Sequence, residues 1–441
     1  MKNVRSILDQ NAYQFDGPGD DRTDALIRRR LDTVGPTSVL FYRQPLHIVR
    51  GEGVWLYDSE GRAYLDAYNN VPSVGHCHPR VVEAVSKQMS QLNVHTRYLH
   101  DSIHDYTERL LATMPDSLNR MVMTCTGSES NDLALRIARL WTGRKGVIVS
   151  EAAYHGNTEA VTEVSPSSLK NRDPADHVYV IPISSMPKGE SEAGKWFAKE
   201  VQRGIQHLEM LGFGCAALLV DSIFSSDGVI SDPKGFLFPA SEVLKQNGCL
   251  LIADEVQPGF GRTGEAMWGF ERHGLVPDIV TMGKPMGNGF PVAALVANDS
   301  LLERFNAEVG YFNTFGGSQV SVSAATAVLD TLEEERLQEN ARIVGTYLKS
   351  GLDELASRFA CLGEVRGAGL FIGIDVVGVD DPLQPDKDRA SWLINELRQN
   401  GVLLGAAGRT GNVLKVRPPL CFSKDNVDLF LERFESALAR I

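Results

Sequence analysis

An α/β fold with a mostly parallel central sheet is predicted by three features of the 441-residue sequence. From Met121 to Val296, short apolar runs alternate with stretches of helical periodicity, which is typical of βα units. Both flanks of this region carry hairpin-like and helical patterns, which favour a smaller α+β domain. No repeat or long linker separates these parts, so we expect one interwoven subunit whose smaller domain is built from both chain ends.

The N-terminal flank predicts an arm, a set of short strands and a helix. Its first twenty residues are polar and rich in Asp and Gly, and we expect a loose arm there. From Leu46 the runs HIVRG, VWLYD and AYLDAY alternate around short turns, which indicates β-hairpins. Pro79 suits the first turn of the helix that follows, RVVEAVSKQMSQL.

The central region predicts parallel strands whose following loops share one edge of the sheet. Its strand-like runs are MVMTC, GVIVS, CAALLV, CLLIAD and DIVTMG, and helices are predicted in SESNDLALRIARLW and from about Phe238. Crossover connections bring the loops after parallel strands to the same edge, where ligands usually bind. We therefore expect the functional site at that edge.

The C-terminal region completes the smaller domain. Long helical patterns follow Gln319, two strand-like runs lie around Gly367 to Asp375, and a final amphipathic helix starts at Lys424. We predict residues 1–95 as the arm and part of the small domain, 96–320 as the large ligand-binding domain, and 321–441 as the C-terminal small domain.

The charge balance excludes some classes of partner. The net charge of -12 disfavours nucleic acid and anionic membranes, which bind through basic surfaces. No apolar run approaches the ~20 residues of a membrane span, and the N-terminus lacks a signal-peptide core. The six cysteines form no CxxC pair, so we expect reduced thiols and a cytoplasmic protein. We expect no metal either, because His76, Cys77 and His78 are too close in sequence to converge.

A carboxylate and a lysine follow two neighbouring predicted strands. Asp254 ends the run CLLIAD, and Lys284 follows the run DIVTMG. The two residues are separated in sequence by about the length of one βα unit. This pair suits pyridoxal phosphate, because a lysine forms a Schiff base with its aldehyde and a carboxylate keeps its ring nitrogen protonated. The spacing alone leaves the alternative open that Asp254 merely ends a strand and Lys284 lies in a surface loop.

A possible anion site lies at the start of the helix in TCTGSESNDLALRIAR. A strand, the turn Thr126-Gly127-Ser128 and a helix with Ser128 or Ser130 as its cap would direct free N–H groups toward an anion such as a phosphate. An ordinary capped helix start is the alternative.

Taken together and in this order, these segments resemble the class III (omega) aminotransferases, which are pyridoxal-phosphate enzymes of fold type I. DEVQPGFGRTG and TMGKPMGNGFP carry the resemblance, which extends from about Val54 to the C-terminus. It implies pyridoxal phosphate as the cofactor, Lys284 as the Schiff-base lysine and proton carrier, and Asp254 as the partner of the ring nitrogen. It also implies a homodimer with active sites at the interface, or a tetramer.

The same resemblance assigns further cofactor contacts. Gly127 and Ser128 match the phosphate-binding turn, and Tyr154 and Val256 match the residues on the two faces of the ring. Gln257 matches the residue that bonds the phenolic oxygen. Finally, Thr314 matches the threonine that reaches the phosphate from the neighbouring subunit.

Within the family, the chain is most similar to the branch of ethanolamine-phosphate and phosphohydroxylysine phospho-lyases. The segments YNNVPSVGHCHP, TRYLHDSI, YFNTFGGS, VRGAGLFIGIDV and LKVRPPLCFS carry this similarity. Two departures from ordinary aminotransferases accompany it. Asp221 and Ser222 replace a Glu-Pro pair, with the role of Asp221 left open, and Lys415 aligns with an arginine that binds amino acid carboxylates.

The resemblance implies β-elimination of phosphate from a phosphorylated amine such as O-phosphoethanolamine. Arg97, Lys415 and Arg417 are our candidates for binding the leaving phosphate, and strand alternation places Lys415 and Arg417 on one face. For each arginine the alternative is a structural salt bridge. An omega-transaminase is the alternative function, and a non-catalytic pyridoxal-phosphate-binding protein is a more remote one.

Overall fold

The structure is a computed structural model that describes residues 11–13 and 21–441. The arm predicted for the first twenty residues lies outside the described residues except at 11–13. No helix among the described residues has the length and apolar character needed to cross a membrane. The cytoplasmic location and the domain boundaries stay predictions.

The hairpins predicted for the N-terminal flank are present. Asp58 holds the second turn, because its Oδ1 atom accepts the N–H groups of Glu60 and Arg62 at 3.0 and 2.9 Å. The predicted helix begins at Pro79, as expected. The elements of this part are α1 (Asp21–Thr33), β1 (Ile48–Glu52), β2 (Trp55–Asp58), β3 (Ala63–Asp66), α2 (Pro79–Met89) and α3 (Asp101–Leu111).

The central part alternates strands and helices, which confirms the predicted βα pattern. Each predicted strand is present within a residue or two of its apolar run. The elements are β4 (Arg120–Thr124), α4 (Gly127–Thr142), β5 (Gly146–Ser150), α5 (Glu159–Glu163), β6 (Val178–Ile181), α6 (Glu190–Met210), β7 (Cys215–Val220), α7 (Phe238–Gln246), β8 (Leu250–Asp254), β9 (Ile279–Met282), β10 (Ala293–Ala297) and α8 (Asp299–Glu308).

Within residues 120–297 these strands form one seven-stranded sheet in the order β4-β10-β9-β8-β7-β5-β6. Only β10 runs antiparallel to its neighbours, so the sheet is mostly parallel. Helices cover both faces: Leu218 of β7 packs into the core that contains α6 and α7, whereas Leu219 packs into the core that contains α4 and α8. The carboxyl ends of β4, β8 and β9 consequently meet at one edge.

Two further sheets of four strands each are present among the described residues, and one of them joins both chain ends. Val402 of the C-terminal region lies opposite Leu65 of β3 in a parallel pairing. This pairing confirms the prediction that both chain ends build the smaller α+β part. The C-terminal elements are α9 (Gln319–Glu334), α10 (Leu337–Arg358), β11 (Leu362–Ala368), β12 (Phe371–Val376), α11 (Lys387–Gln399), β13 (Val402–Leu403), β14 (Gly405–Ala407), β15 (Val413–Val416) and α12 (Lys424–Leu438).

Candidate active site

Two adjoining cavities open at the carboxyl edge of the central sheet. The first cavity, of about 340 Å³, lies between the start of α4 and the ends of β8 and β9. The second cavity, of about 290 Å³, lies beside β14 and β15. Tyr154, Gln257 and Lys284 line both cavities, so the two cavities adjoin at these three side chains. The first cavity is also lined by Gly127, Ser128, Asp221, Asp254 and Val256, and the second by Phe41, Tyr68, Ser226, Leu404, Gly405, Ala406, Lys415 and Arg417.

Asp254 is a buried carboxylate that accepts three hydrogen bonds from described residues. Its Oδ2 atom accepts from Asn131 Nδ2 at 3.0 Å and from His155 Nδ1 at 2.6 Å. Its Oδ1 atom accepts from the Val256 N–H at 3.1 Å. These donors orient the carboxylate, and none of them is a lysine or an arginine. The site therefore suits a ligand that presents a cationic N–H group.

The start of α4 offers free N–H groups, but its cap differs from the prediction. Thr126, rather than Ser128 or Ser130, is the N-cap: its hydroxyl accepts from the Glu129 N–H at 3.1 Å, and the Glu129 carboxylate accepts from the Thr126 N–H. This is a T-x-x-E capping box. The N–H groups of Gly127 and Ser128 have no hydrogen-bond partner among the described residues, and both residues line the first cavity.

Two glycines let the walls of the first cavity approach each other closely. A Cβ atom at Gly127 would lie 2.8 Å from Val256 Cγ2. Gly156 has a φ of +145°, and a Cβ atom there would lie 2.5 Å from Ser128 Oγ. Both positions exclude larger side chains, so the turn before α4 lies directly against Val256 and the segment after Tyr154.

Lys284 follows Gly283 directly after β9 and lines both cavities. Burial lowers the pKa of its ammonium group, and the nearby Arg417 lowers it further, while Asp254 and Asp221 oppose this change. A lysine with a lowered pKa holds a larger fraction of neutral, nucleophilic amine near neutral pH.

Gln257 belongs to a hydrogen-bond chain that connects the two cavities. Its Oε1 atom accepts from Arg417 and from Asn70 Nδ2, the latter at 3.3 Å. Its Nε2 atom donates to Ser225 Oγ at 2.6 Å, and that hydroxyl donates to Asp221. Asp221 also accepts the N–H groups of Ile223 and Ser225, so it fixes the turn that orients Gln257. Burial raises the pKa of Asp221, and Asp254 adds to this rise.

Lys415 and Arg417 are the buried cations of the second cavity. They are only 4% and 9% exposed, and neither pairs with a carboxylate among the described residues. Arg417 donates to Asn70 Oδ1 at 3.0 Å and lies 4.7 Å from the centre of the Tyr68 ring, but its buried Nε atom has no hydrogen-bond partner in the described chain. Burial, followed by the charge of Arg417, holds the pKa of Lys415 well below its usual value.

Arg97 and Thr314 lie outside both cavities. Arg97 is exposed, and its guanidinium lies 4.0 Å from the centre of the Phe312 ring. The structure therefore does not bring Arg97 together with Lys415 and Arg417 within one chain. Thr314 is also exposed, next to Asn313, whose Oδ1 atom accepts the Gly316 N–H at 2.9 Å and fixes the turn.

The His-Cys-His segment places its two histidines apart. His76 Nε2 lies 2.7 Å from Asp66, whereas His78 Nε2 lies 3.0 Å from Glu335. Among the described residues, no group of three or more His, Cys, Asp or Glu side chains could hold a metal ion.

Asn131, His155 and Thr281 are site residues for which the sequence predicted no cofactor contact. All three are buried around Asp254. Thr281 carried a usable signal, because it is a polar residue inside the apolar run of β9. His155 contacts Asp254 through its Nδ1 atom, and its place next to Tyr154 in the sequence is the signal that could have found it. Asn131 lies among the polar residues that begin α4, where the sequence pattern does not distinguish it from its neighbours.

Comparison with known proteins places this chain in a family. The aminotransferase class-III family matches residues 41–438. A Drosophila melanogaster protein named alanine–glyoxylate aminotransferase 2-like is 40% identical over 429 residues, which cover 94% of this chain and 87% of that protein. Caenorhabditis elegans ethanolamine-phosphate phospho-lyase homolog 1 is 37% identical over 425 residues, which cover 92% of this chain and 91% of that protein.

A solved structure extends the same result. An Arthrobacter phospholyase in complex with phosphoethanolamine is 41% identical, with a TM-score of 0.91, and the match covers 94% of this chain and 100% of that one. The chain therefore belongs to the class III aminotransferase family and is an enzyme of that family, whose members use pyridoxal phosphate. The predicted family and fold type are confirmed.

Proposed function

We propose that this chain is a pyridoxal-phosphate-dependent phospho-lyase. Its substrate would be a phosphorylated primary amine such as O-phosphoethanolamine, from which it releases phosphate, ammonia and an aldehyde. The observation that carries the proposal is the Lys415–Arg417 pair, whose two buried charges have no carboxylate partner in the described chain. Buried cations are costly unless an anion compensates them, so this pair fits an anionic substrate group.

The first cavity fits pyridoxal phosphate at three places. The unpartnered N–H groups of Gly127 and Ser128 suit its phosphate. Asp254, which has no lysine or arginine among its described donors, suits a protonated ring nitrogen. The Lys284 amine lies in the same cavity, and Tyr154 and Val256 line its walls. When bound, the cofactor supplies an aldehyde that condenses with amines and a ring that accepts electrons from a broken C–H bond.

Lys284 would move the proton that starts the reaction. Its Nζ atom takes a proton from the carbon that carries the substrate nitrogen, and its lowered pKa provides the neutral amine that this step needs. Gln257, held by Ser225 and Arg417, orients the ligand groups where the two cavities meet.

Lys415 and Arg417 would bind the leaving phosphate. Elimination breaks the bond between carbon and the ester oxygen, and the phosphate leaves with the electron pair. Two cations beside that oxygen stabilise the charge that develops there, which favours elimination over return of the proton. The enamine then takes up a proton at the carbon that lost the phosphate, Lys284 gives up the proton that it took, and water hydrolyses the resulting imine to ammonia and aldehyde, so atoms and charges balance.

The rest of the second cavity favours a short substrate. Phe41, Tyr68, Leu404 and Ala406 give it an apolar wall, and none of its lining residues is a carboxylate. A second ammonium group, as in phosphohydroxylysine, would find no counter-charge among these lining residues. Phosphoethanolamine is therefore the substrate that this cavity suits better.

An omega-transaminase is the second candidate. The Drosophila relative carries an aminotransferase name, and the same cation pair would also suit the carboxylate of a keto acid. Incubating the purified protein with phosphoethanolamine and measuring inorganic phosphate and acetaldehyde separates the two functions. Equimolar release of both supports the lyase. Amino transfer to pyruvate without phosphate release would instead support the omega-transaminase.

A homodimer is proposed as the working form. Leu99 and Phe315 are 95% and 71% exposed, and both lie close in sequence to the exposed residues Arg97 and Thr314. An apolar surface of this kind suits burial against a second copy. Such an interface would place Thr314 beside the phosphate turn of the partner, as the family resemblance implies. Light scattering distinguishes monomer, dimer and tetramer.

A further inference from the structure

A set of buried polar side chains surrounds Asp254 without taking part in the chemistry described above. Asn131 of α4 and Thr281 of β9 are both fully buried. Of the residues described here, neither lines the first or the second cavity, so neither would contact a ligand there. Their polar atoms are joined to each other and to Asp254.

The hydroxyl of Thr281 fixes the orientation of the Asn131 amide. Thr281 Oγ1 donates to Asn131 Oδ1 at 2.6 Å. The amide nitrogen then donates to Asp254 Oδ2 at 3.0 Å and to the His155 main-chain oxygen at 2.8 Å. Both of these partners can only accept, so the reverse orientation would place the amide oxygen against them. Without the hydroxyl, nothing described in the chain would hold the amide oxygen.

This arrangement divides the two oxygen atoms of Asp254 between different tasks. Oδ2 is occupied by Asn131 and His155, whereas Oδ1 has one described donor, the Val256 N–H. An ionised carboxylate oxygen can accept more than one hydrogen bond. Oδ1 therefore keeps capacity for a further donor, and a cationic N–H group would give the stronger, charge-assisted bond.

We infer that Thr281 and Asn131 are positioning residues that hold Asp254 oriented so that Oδ1 accepts the protonated ring nitrogen of pyridoxal phosphate. The inference rests on the proposed cofactor. It does not depend on the choice between phosphate elimination and amino transfer.

The test uses the affinity of the cofactor-free protein for two ligands. The first is pyridoxal phosphate, and the second is its analogue with carbon in place of the ring nitrogen. Thr281→Val removes the hydroxyl at nearly constant shape, and we expect about tenfold weaker binding of pyridoxal phosphate. Binding of the carbon analogue should be unchanged, because it has no ring nitrogen to bond. Thr281→Ser keeps the hydroxyl and should restore affinity to within about twofold.

Two further variants sharpen the test. Asn131→Asp places a second carboxyl group beside Asp254, and like charges raise each other's pKa, so we expect about 100-fold weaker binding of pyridoxal phosphate. Thr331→Val is the matched control, because Thr331 is another buried threonine whose hydroxyl donates to the Ala327 oxygen at 2.7 Å, far along α9. It should lower thermal stability without changing affinity for either ligand.

Equal weakening of both ligands by Thr281→Val would show a merely structural role and overturn the inference. Unchanged binding of pyridoxal phosphate would overturn it as well. If the wild-type protein binds neither ligand, the cofactor proposal fails and this inference fails with it. Wild-type protein that binds the cofactor but releases no phosphate contradicts only the lyase.

Discussion

Asp254 and the Lys415–Arg417 pair are both buried charges, yet their surroundings differ. Asp254 accepts three described hydrogen bonds, and its oxygens are held whether or not a ligand is present. Lys415 has no carboxylate partner among the described residues, and one buried nitrogen of Arg417 is unpartnered. Asp254 is held in place by the chain before a ligand arrives, whereas the Lys415–Arg417 pair is stabilised by an anion that enters. This difference is the one expected between a resident cofactor and a substrate that must leave.

The largest effect is expected at Lys284, one of the three residues that line both cavities. Lys284→Ala removes the amine that would hold the cofactor and move the proton, so activity should fall about 10⁴-fold. The visible absorption band of the wild-type protein should also disappear. Lys188→Ala, at a surface lysine that is paired with Glu364, is the control and should change neither. A visible band that survives in Lys284→Ala would contradict the cofactor assignment.

The second prediction separates the two buried sites. Lys415→Met removes one of the two cations that would bind phosphate, and kcat/KM for phosphoethanolamine should fall about 100-fold. The visible band should remain, because Asp254 and Lys284 are untouched. Lys415→Arg keeps the charge and should recover most of the loss. Unchanged steady-state kinetics in Lys415→Met would contradict a phosphate role for this lysine.

The sequence predicted the fold well because the central strands are short apolar runs that are buried on both faces. The pairing of β13 with β3 joins residues from opposite ends of the chain, so no local pattern shows its register. Within the site, alternation along β15 predicted that Lys415 and Arg417 share one face, and both line the second cavity because alternation is a local property. The Thr126 cap was also local, and its T-x-x-E signature would have corrected the prediction of Ser128 or Ser130.

Other site features depend on distant contacts that one sequence does not show. The bond from Thr281 to Asn131 and the bond from Asn131 to Asp254 each join different elements. The position of Arg97 outside the cavities has the same origin, because the turn that carries it packs near Phe312 rather than near β15. Apart from Arg97 and Thr314, the residues that the sequence motifs indicated line the two cavities, whereas Thr281 and Asn131, which hold Asp254 in place, were missed.

The third prediction concerns pH and the lowered pKa of Lys415. Only the protonated amine attracts phosphate, and burial beside Arg417 makes it lose its proton below the usual pKa of a lysine. As pH rises through the lowered pKa, KM for phosphoethanolamine should rise, by up to about tenfold for each pH unit. Lys415→Arg stays charged and should flatten this rise. An identical rise in that variant would assign the effect to the substrate or to another group.

The smallest effect is expected in the thermal stability of Lys415→Met, which should rise although the activity of this variant falls. In the unfolded chain Lys415 keeps its proton up to its ordinary pKa, whereas the folded protein releases it earlier. Between these two values the unfolded state binds more protons, so stability of the wild-type protein should rise with pH there, and Lys415→Met should lack this rise. At neutral pH, Lys415→Met should raise Tm by about 1–2 °C, because it removes a buried charge without a partner.

Added inorganic phosphate provides the control for this stability effect. A ligand that binds only the folded state stabilises it, so phosphate should raise the Tm of the wild-type protein and reduce its difference from Lys415→Met. Sodium chloride at the same ionic strength should not do so. If Lys415→Met lowers Tm without phosphate, Lys415 already has a compensating partner in the folded chain. The contrast with Asp254 would then fail, because both buried charges would be complete before any ligand binds.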